Sequence, residues 1–168
     1  AVASYRKALT LNPDYAEAYN NVGTVLHDLG KLDDAVISYQ KALTVRPDYA
    51  EAHSNLGNTL KELGRLDDAV ASYRDALAMK PDYSPAHHNL GTALLCLNKP
   101  NEAILSFNRA IALQPDYAEA HNNLGTALHD LGKLDNAVAA FHKALGIKPD
   151  YPEAHYNLGT LFKRMDKL

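Results

Sequence analysis

The 168-residue chain has no tryptophan, three phenylalanines and a single cysteine, Cys96. One thiol cannot close an internal disulfide, which fits a reducing compartment such as the cytoplasm. No apolar run approaches the roughly 20 residues that span a bilayer, so no membrane partner is expected. No Asn-x-Ser/Thr acceptor occurs. The formal charge is only −3, with both signs interspersed. Without a basic block to attract a phosphate backbone, nucleic acid is excluded as a partner. No glycine-rich phosphate loop and no set of nucleophile, base and orienting group is apparent. No cationic residue flanks Cys96 to activate its thiol. The pattern therefore predicts a non-catalytic protein that needs no cofactor.

The chain does have a period. Pro-Asp-Tyr triplets open at Pro13, Pro47, Pro81, Pro115 and Pro149, 34 residues apart, and hold half of the ten tyrosines. A fixed spacing of this length is the mark of a stacked array, in which each repeat is one structural unit packed on its neighbours.

One period, from Pro13 to Arg46, predicts two helices. Pro13 ends the preceding helix, and Asp14 with Glu17 reads as a capping box for the next. Tyr19, Val22, Gly23 and Leu26 fall at i, i+3, i+4 and i+7, the buried stripe of a helix reaching about Leu29. Gly30 suits a left-handed C-cap. A second helix runs from about Asp33 to Arg46 and buries Ala35, Tyr39, Ala42 and Leu43. A tight turn makes the two antiparallel. Gly23 recurs as Gly57, Gly91, Gly125 and Gly159. Alanines recur at 35, 69, 103 and 137 and at 42, 76, 110 and 144. Between them stand Tyr39, Tyr73, Phe107 and Phe141. This alternation of small and large residues is a packing code, with large side chains wedged between closely approaching helices. His53, His87, His121 and His155 read as substitutes for a further wedge aromatic. Their columns should lie about 10 Å apart, as packed helices do, too far to share a metal ion with bonds of about 2.0–2.1 Å. No metal site is expected.

The pattern Tyr19-x-x-Val22-Gly23-x-x-Leu26, then Ala35, Tyr39, Ala42 and Pro47, resembles the tetratricopeptide repeat (TPR), and the likeness covers the whole chain. It implies an all-α solenoid of antiparallel helix pairs stacked in a right-handed superhelix. The repeats are expected at 16–49, 50–83, 84–117 and 118–151. A second-helix half-repeat (1–15) and a first-helix half-repeat (152–168) flank them. Ala1 aligns with Ala35 and Leu168 with Leu32, so the two halves are complementary. Head-to-tail self-association through Val2, Tyr5 and Leu9 against Leu158, Leu161 and Phe162 is one expectation. Such a heterologous contact need not close.

The resemblance also implies a concave groove lined by the first helices, on the face of Glu17, Asn20, Asn21, Thr24, His27 and Asp28. One column of that face is Asn21, Asn55, Asn89, Asn123 and Asn157. The next is Thr24, Asn58, Thr92, Thr126 and Thr160. Asparagine is a poor helix-interior residue, so its recurrence needs a cause. Its amide can pair with both N–H and C=O of an extended peptide; alternatively it bonds the adjacent repeat. The column resembles the asparagine ladder in the TPR region of O-GlcNAc transferase and its bacterial relatives, which holds a substrate polypeptide by its backbone. Leu95, with Cys96, interrupts the polar pairs His27-Asp28, Lys61-Glu62 and His129-Asp130. With His88 and Pro85 it is a candidate apolar pocket. Nothing basic sits at the centre of the face, which argues against a clamp for acidic tails. The expected partner is a protein or extended peptide. The chain is also compatible with the substrate-recognition arm of a larger glycosyltransferase and with a self-assembling scaffold.

Overall fold

The computed structural model describes residues 2–166, apart from the side chains of Val2, Ala3 and Arg6. The described residues are α-helical with short turns and no strand. None of their helices is long and apolar enough to cross a membrane. The chain divides into two compact units, Ala1–Pro81 and Asp82–Leu168. Unit 1 holds α1 (Val2–Leu11), α2 (Ala16–Asp28), α3 (Leu32–Val45), α4 (Ala50–Glu62) and α5 (Leu66–Met79). Unit 2 holds α6 (Ser84–Cys96), α7 (Pro100–Leu113), α8 (Ala118–Asp130), α9 (Leu134–Ile147) and α10 (Pro152–Met165). In unit 1, α2 pairs with α3 and α4 with α5, α3 packs on α4, and α1 packs on α2. In unit 2, α6 pairs with α7 and α8 with α9. There α7 packs on α8, α9 on α10, and α8 touches both α6 and α10. First helices thus lie beside first helices within each unit.

The glycine column is explained by rings. A Cβ built on Gly23 would stand 2.6 Å from the Tyr39 ring, on Gly57 2.7 Å from Tyr73, and on Gly91 and Gly125 2.6 Å from Phe107 and Phe141. Tyr73, Phe107 and Phe141 are wholly buried. Each aromatic of a second helix therefore packs directly against the bare backbone of its own first helix.

The turns follow two rules. Gly30 has φ 71°; its N–H bonds the His27 carbonyl, and the Lys31 N–H bonds that of Leu26. This pair is a Schellman C-cap. Asn98 takes the same left-handed place at φ 57° after α6, where asparagine is the next best residue. The N-termini differ from expectation. Tyr15, not Asp14, is the N-cap of α2, and no side chain caps it. Asp14 lies in the turn with Pro13, one residue too early to cap. Glu17 instead pairs with Arg46.

Two expected contact residues are not exposed. Leu158 and Leu161 are 8% and 1% accessible and form a core cluster with Ala137 and Phe141. They face α9 of the preceding pair, so they cannot form a docking surface. On the same helix Phe162 is 43% exposed, and a Cβ on Gly159 would meet nothing within 4 Å. Tyr5 and Leu9 are half-buried. Leu9 lines a recess of about 270 Å³ with Tyr19, Val22 and Lys41. The side chain of Val2 lies outside the described residues.

Candidate functional site

The asparagine column sits at the seams between first helices. Asn55 Nδ2 donates to Asn20 Oδ1 of the preceding pair at 3.1 Å. Asn157 Nδ2 donates to Asn122 Oδ1 at 3.0 Å. Asn123 Nδ2 donates to His88 Nε2 at 3.0 Å. In unit 2 these bonds are continuous, because Asn122 Nδ2 also donates to Asn123 Oδ1 at 3.2 Å. Asn157, Asn122, Asn123 and His88 thus form one relay across α10, α8 and α6. The bond between repeats, weighed above as one cause of the asparagines, is present at these three positions.

The acceptors form a column that the sequence pattern does not mark. Asn20 and Asn122 are 7% and 5% accessible, deeper than the half-buried Asn21 and Asn123. The column reads Asn20, Ser54, His88, Asn122 and Tyr156. Its residue type varies, yet every member can accept a hydrogen bond; that shared property was the available signal. His88 is held here, with its ring 4.8 Å from that of Tyr117 and 5.9 Å from Phe107. It is part of the seam rather than of an apolar pocket with Leu95, which is half-buried, and Pro85, which is exposed.

The threonine column is tied back to its own helices. Thr24, Thr92 and Thr126 donate to the carbonyls of Asn20, His88 and Asn122, four residues earlier. In unit 1 the column also receives the buried tyrosines. Tyr39 donates its hydroxyl to Thr24 Oγ1 at 3.3 Å, and Tyr73 donates to Asn58 Oδ1 at 2.8 Å. Burial raises the phenol pKa of both tyrosines, since it disfavours phenolate. Phe107 and Phe141 bring no such hydroxyl in unit 2. Asn89 of the asparagine column lies half-buried, and Thr160 of the threonine column is exposed on α10.

The histidine column has a different role from the one expected. His53, His121 and His155 bond the carbonyls of Pro47, Pro115 and Pro149 through Nε2 at 2.9, 3.0 and 2.9 Å. A carbonyl only accepts, so Nε2 carries the proton. These rings pin the Pro-Asp-Tyr turn to the helix that follows it. Farther along the face, His27 Nε2 donates to Glu62 Oε1 at 3.0 Å. Arg164 Nη1 donates to His129 Nε2 at 3.0 Å. One column thus serves as donor in unit 1 and acceptor in unit 2.

These residues surround recesses. In unit 1, Thr24, His27, Tyr39, Asn55 and Asn58 line one of about 120 Å³. In unit 2, Thr126, His129, Phe141, Asn157 and Thr160 line one of about 100 Å³. The two sets are the same five repeat positions, so the asparagine and threonine columns converge on a pocket that recurs. A third, wider recess of about 440 Å³ adjoins the latter, sharing Thr126 and Asn157 with it. Along the base of the face, Glu17, Glu51 and Glu119 pair with Arg46, Lys80 and Lys148. The bond from Arg46 holds the Glu17 carboxyl below its ordinary pKa.

A family model described as Tetratricopeptide repeat matches residues 14–82. A second, described as TPR repeat, matches residues 93–132 and 125–166. No curated protein matches the chain in sequence. Among solved structures, YrrB, described as a TPR protein with an unusual peptide-binding site, is 27% identical with a TM-score of 0.85, covering 99% of this chain and 86% of its own. MamA is 26% identical with a TM-score of 0.83, over 88% of this chain and 86% of its own. The first TPR of Spaghetti (RPAP3), bound to the HSP90 peptide SRMEEVD, is 26% identical with a TM-score of 0.68, over 70% of this chain and 93% of its own. Repeat pattern, paired helices, family models and structural neighbours agree: the chain belongs to the tetratricopeptide repeat family.

Proposed function

We propose that this chain is a non-catalytic binding module that holds an extended polypeptide along the face of its first helices. The carrying observation is the recurring recess, in which the asparagine and threonine columns meet a histidine and a buried ring. Peptide binding by the structural neighbours YrrB and RPAP3 supports the class of ligand. The acidic HSP90 peptide bound by RPAP3 is not the ligand favoured here, because no Lys or Arg lines either recurring recess to receive its carboxylates. Asn55 and Asn157 each spend one N–H on the preceding repeat. Each keeps an Oδ1 that would accept from a backbone N–H of the ligand. Two bonds of about 0.5–1.5 kcal/mol each fall short of the roughly 4 kcal/mol of millimolar affinity, so apolar or charged anchors must supply the rest. Selection from a random peptide library, followed by amide-shift mapping of the winners, tests this. Shifts should cluster on α2, α4, α8 and α10 around the two recesses. Shifts confined to the second helices, around Ile37 and Lys41, would end this reading. Serving as the recognition arm of a larger glycosyltransferase is a narrower form of the same proposal.

A second reading is self-association, favoured by one position. Four glycines of the column each face a ring, whereas Gly159 has open space. Tyr5 stands 34 residues before Tyr39 in the ring column. In a head-to-tail pair, α1 of a second copy lays Tyr5 over Gly159 and covers Phe162. Sedimentation mass should rise stepwise with concentration and revert to monomer in Phe162→Glu. A constant monomer mass up to millimolar concentration excludes the pair.

A further inference from the structure

We propose that unit 2 carries a site for a small aliphatic monocarboxylate, in the recess where α8 is flanked by α7 and α9. The site shares no residue with the recesses of the first-helix face, so it stands apart from the groove reading.

The recess holds about 320 Å³. Ile104 of α7, Leu124 and Leu128 of α8 and Ala140 of α9 give it apolar walls. Its polar groups are Asn108, His121, Asn136 and Lys143, and α10 contributes nothing. The recess of about 270 Å³ in unit 1 uses the same positions of α2 and α3. There Tyr19 stands for His121, Asp34 for Asn136, Ser38 for Ala140 and Lys41 for Lys143. Unit 2 has thus exchanged the one carboxylate for an amide and a hydroxyl for a methyl. What remains is one cation and no anion.

In unit 1 the position of Lys143 is matched to the ring of the first helix. Lys41 Nζ lies 6.0 Å from the centre of the Tyr19 ring, a cation over a π face. In the next pair, Asp75 Oδ2 stands 3.9 Å from His53 Nδ1. In unit 2 a lysine meets a histidine instead, and neither complements the other. His121 is 7% accessible, and its Nε2 donates to the Pro115 carbonyl, which leaves Nδ1 for the recess. Neither that Nδ1 nor Lys143 Nζ has a polar partner among the described residues.

The unmatched pair selects the ligand. A carboxylate here takes the place that Asp75 has beside His53: it shares a proton with Nδ1 and accepts from Lys143. An aliphatic tail then covers Ile104, Leu124 and Leu128. A neutral apolar molecule would leave the imidazole nitrogen dehydrated and unpaired. A cation would be repelled by Lys143, and a second carboxylate would find no second cation. The recess lies within one step between helix pairs, about 10 Å, which suits a compact molecule rather than an extended chain. In unit 1, Asp34 would repel the same ligand.

The test titrates the isotope-labelled 168-residue chain with octanoate and with octanamide, its neutral isostere, and follows amide shifts. Shifts should cluster at Ile104, Leu124, Leu128 and Ala140, and octanoate should bind about tenfold tighter than octanamide. Lys143→Gln should weaken octanoate about threefold. Lys143→Asp, which copies the arrangement of Asp75 and His53, should abolish the preference for the carboxylate. Circular dichroism checks that each variant is folded. Equal affinity for the two molecules, a preference that survives Lys143→Asp, or no octanoate shift up to millimolar concentration overturns the site. Binding of acetyl-Leu-Glu-amide without binding of octanoate overturns the small ligand in favour of a polypeptide. Each of these outcomes leaves the groove reading intact.

Discussion

Alanine in place of Gly125 and alanine in place of Gly159 should move stability in opposite directions. Both glycines occupy the same column of a first helix, in α8 and α10. In each case alanine gains about 1 kcal/mol of helix propensity by restricting the unfolded chain. At Gly159 nothing lies within 4 Å of the new Cβ, so the gain is kept. At Gly125 the Cβ falls 2.6 Å from a Phe141 ring carbon. That ring is 1% accessible and packed in a cluster with Ala137, Leu158 and Leu161. The ring can yield only toward the recess of about 100 Å³ that it lines, and overpacking of this kind costs about 1–3 kcal/mol. The net expectation is a gain of up to about 1 kcal/mol for Gly159→Ala and a loss of up to about 2 kcal/mol for Gly125→Ala. Because propensity is common to both, their difference isolates the ring contact.

Thermal melts followed by far-ultraviolet circular dichroism report this directly. A change of 1 kcal/mol moves Tm by about 2–4 °C for a chain of this size, so the two variants should separate by several degrees. A cycle combining Gly125→Ala with Phe141→Leu supplies the control, since the smaller side chain should relieve part of the alanine penalty. Equal shifts of the same sign for both glycines, with no coupling to Phe141, would refute the ring contact as the reason for the glycine column.

The relay in unit 2 predicts that Asn122→Ala destabilises by about 1–3 kcal/mol, by removing partners of both Asn157 and Asn123. A urea double-mutant cycle with Asn157→Ala should give coupling of about 0.5–1.5 kcal/mol, and strict additivity would dissolve the relay. Tyr73→Phe loses the 2.8 Å bond to Asn58 but keeps the ring, as Phe107 and Phe141 do. It should cost no more than about 1.5 kcal/mol by urea unfolding, and a larger loss would mean that the hydroxyl holds more than this bond. Burial raises the pKa of Tyr39 and Tyr73 above 10.0, so between the unfolded and folded values the folded chain binds more protons. Stability should therefore be flat in this respect below pH 10 and fall above it, with tyrosinate absorbance rising as the chain unfolds. Ionisation of all the tyrosines near 10 in a folded chain would contradict their burial.

Much of the fold was legible because one period repeats the same physical instructions. The first helix ends at Asp28 instead of Leu29, and the second spans Leu32–Val45 instead of Asp33–Arg46. Gly30 is left-handed as its position after the stripe suggests. The misses share a cause: periodicity tells which residues are buried, but not against which neighbour. Leu158 and Leu161 are apolar on schedule, yet they face α9, so the open face of α10 belongs to Phe162, Gly159 and Tyr156. The spacing of Asp14 and Glu17 fits a capping box. It gives no sign that the turn holds Asp14 or that Arg46 claims Glu17. A histidine in an aromatic column reads as a ring, and only three dimensions reveal the proline carbonyl six residues back. Of the candidate site, the column of constant residue type was readable, whereas the varied acceptor column behind it was not.

The two explanations for the asparagines are therefore not rivals. A side-chain amide has two N–H donors and an acceptor with two lone pairs. The seam consumes one donor at Asn55 and at Asn157, which is enough to account for a residue that helices otherwise disfavour. That bond also fixes the plane of the amide and so aims its Oδ1. A lone asparagine would lose rotamer freedom on meeting a peptide; one already held from behind does not. Asn123 differs, because its Oδ1 already accepts from Asn122, so within unit 2 the open acceptor lies at Asn157, on the wall shared by the two recesses. An extended backbone crossing that wall would give its N–H to Asn157 with one flank toward Phe141 and the other toward Tyr156. The packing that builds the array thereby orients the group that a ligand would meet.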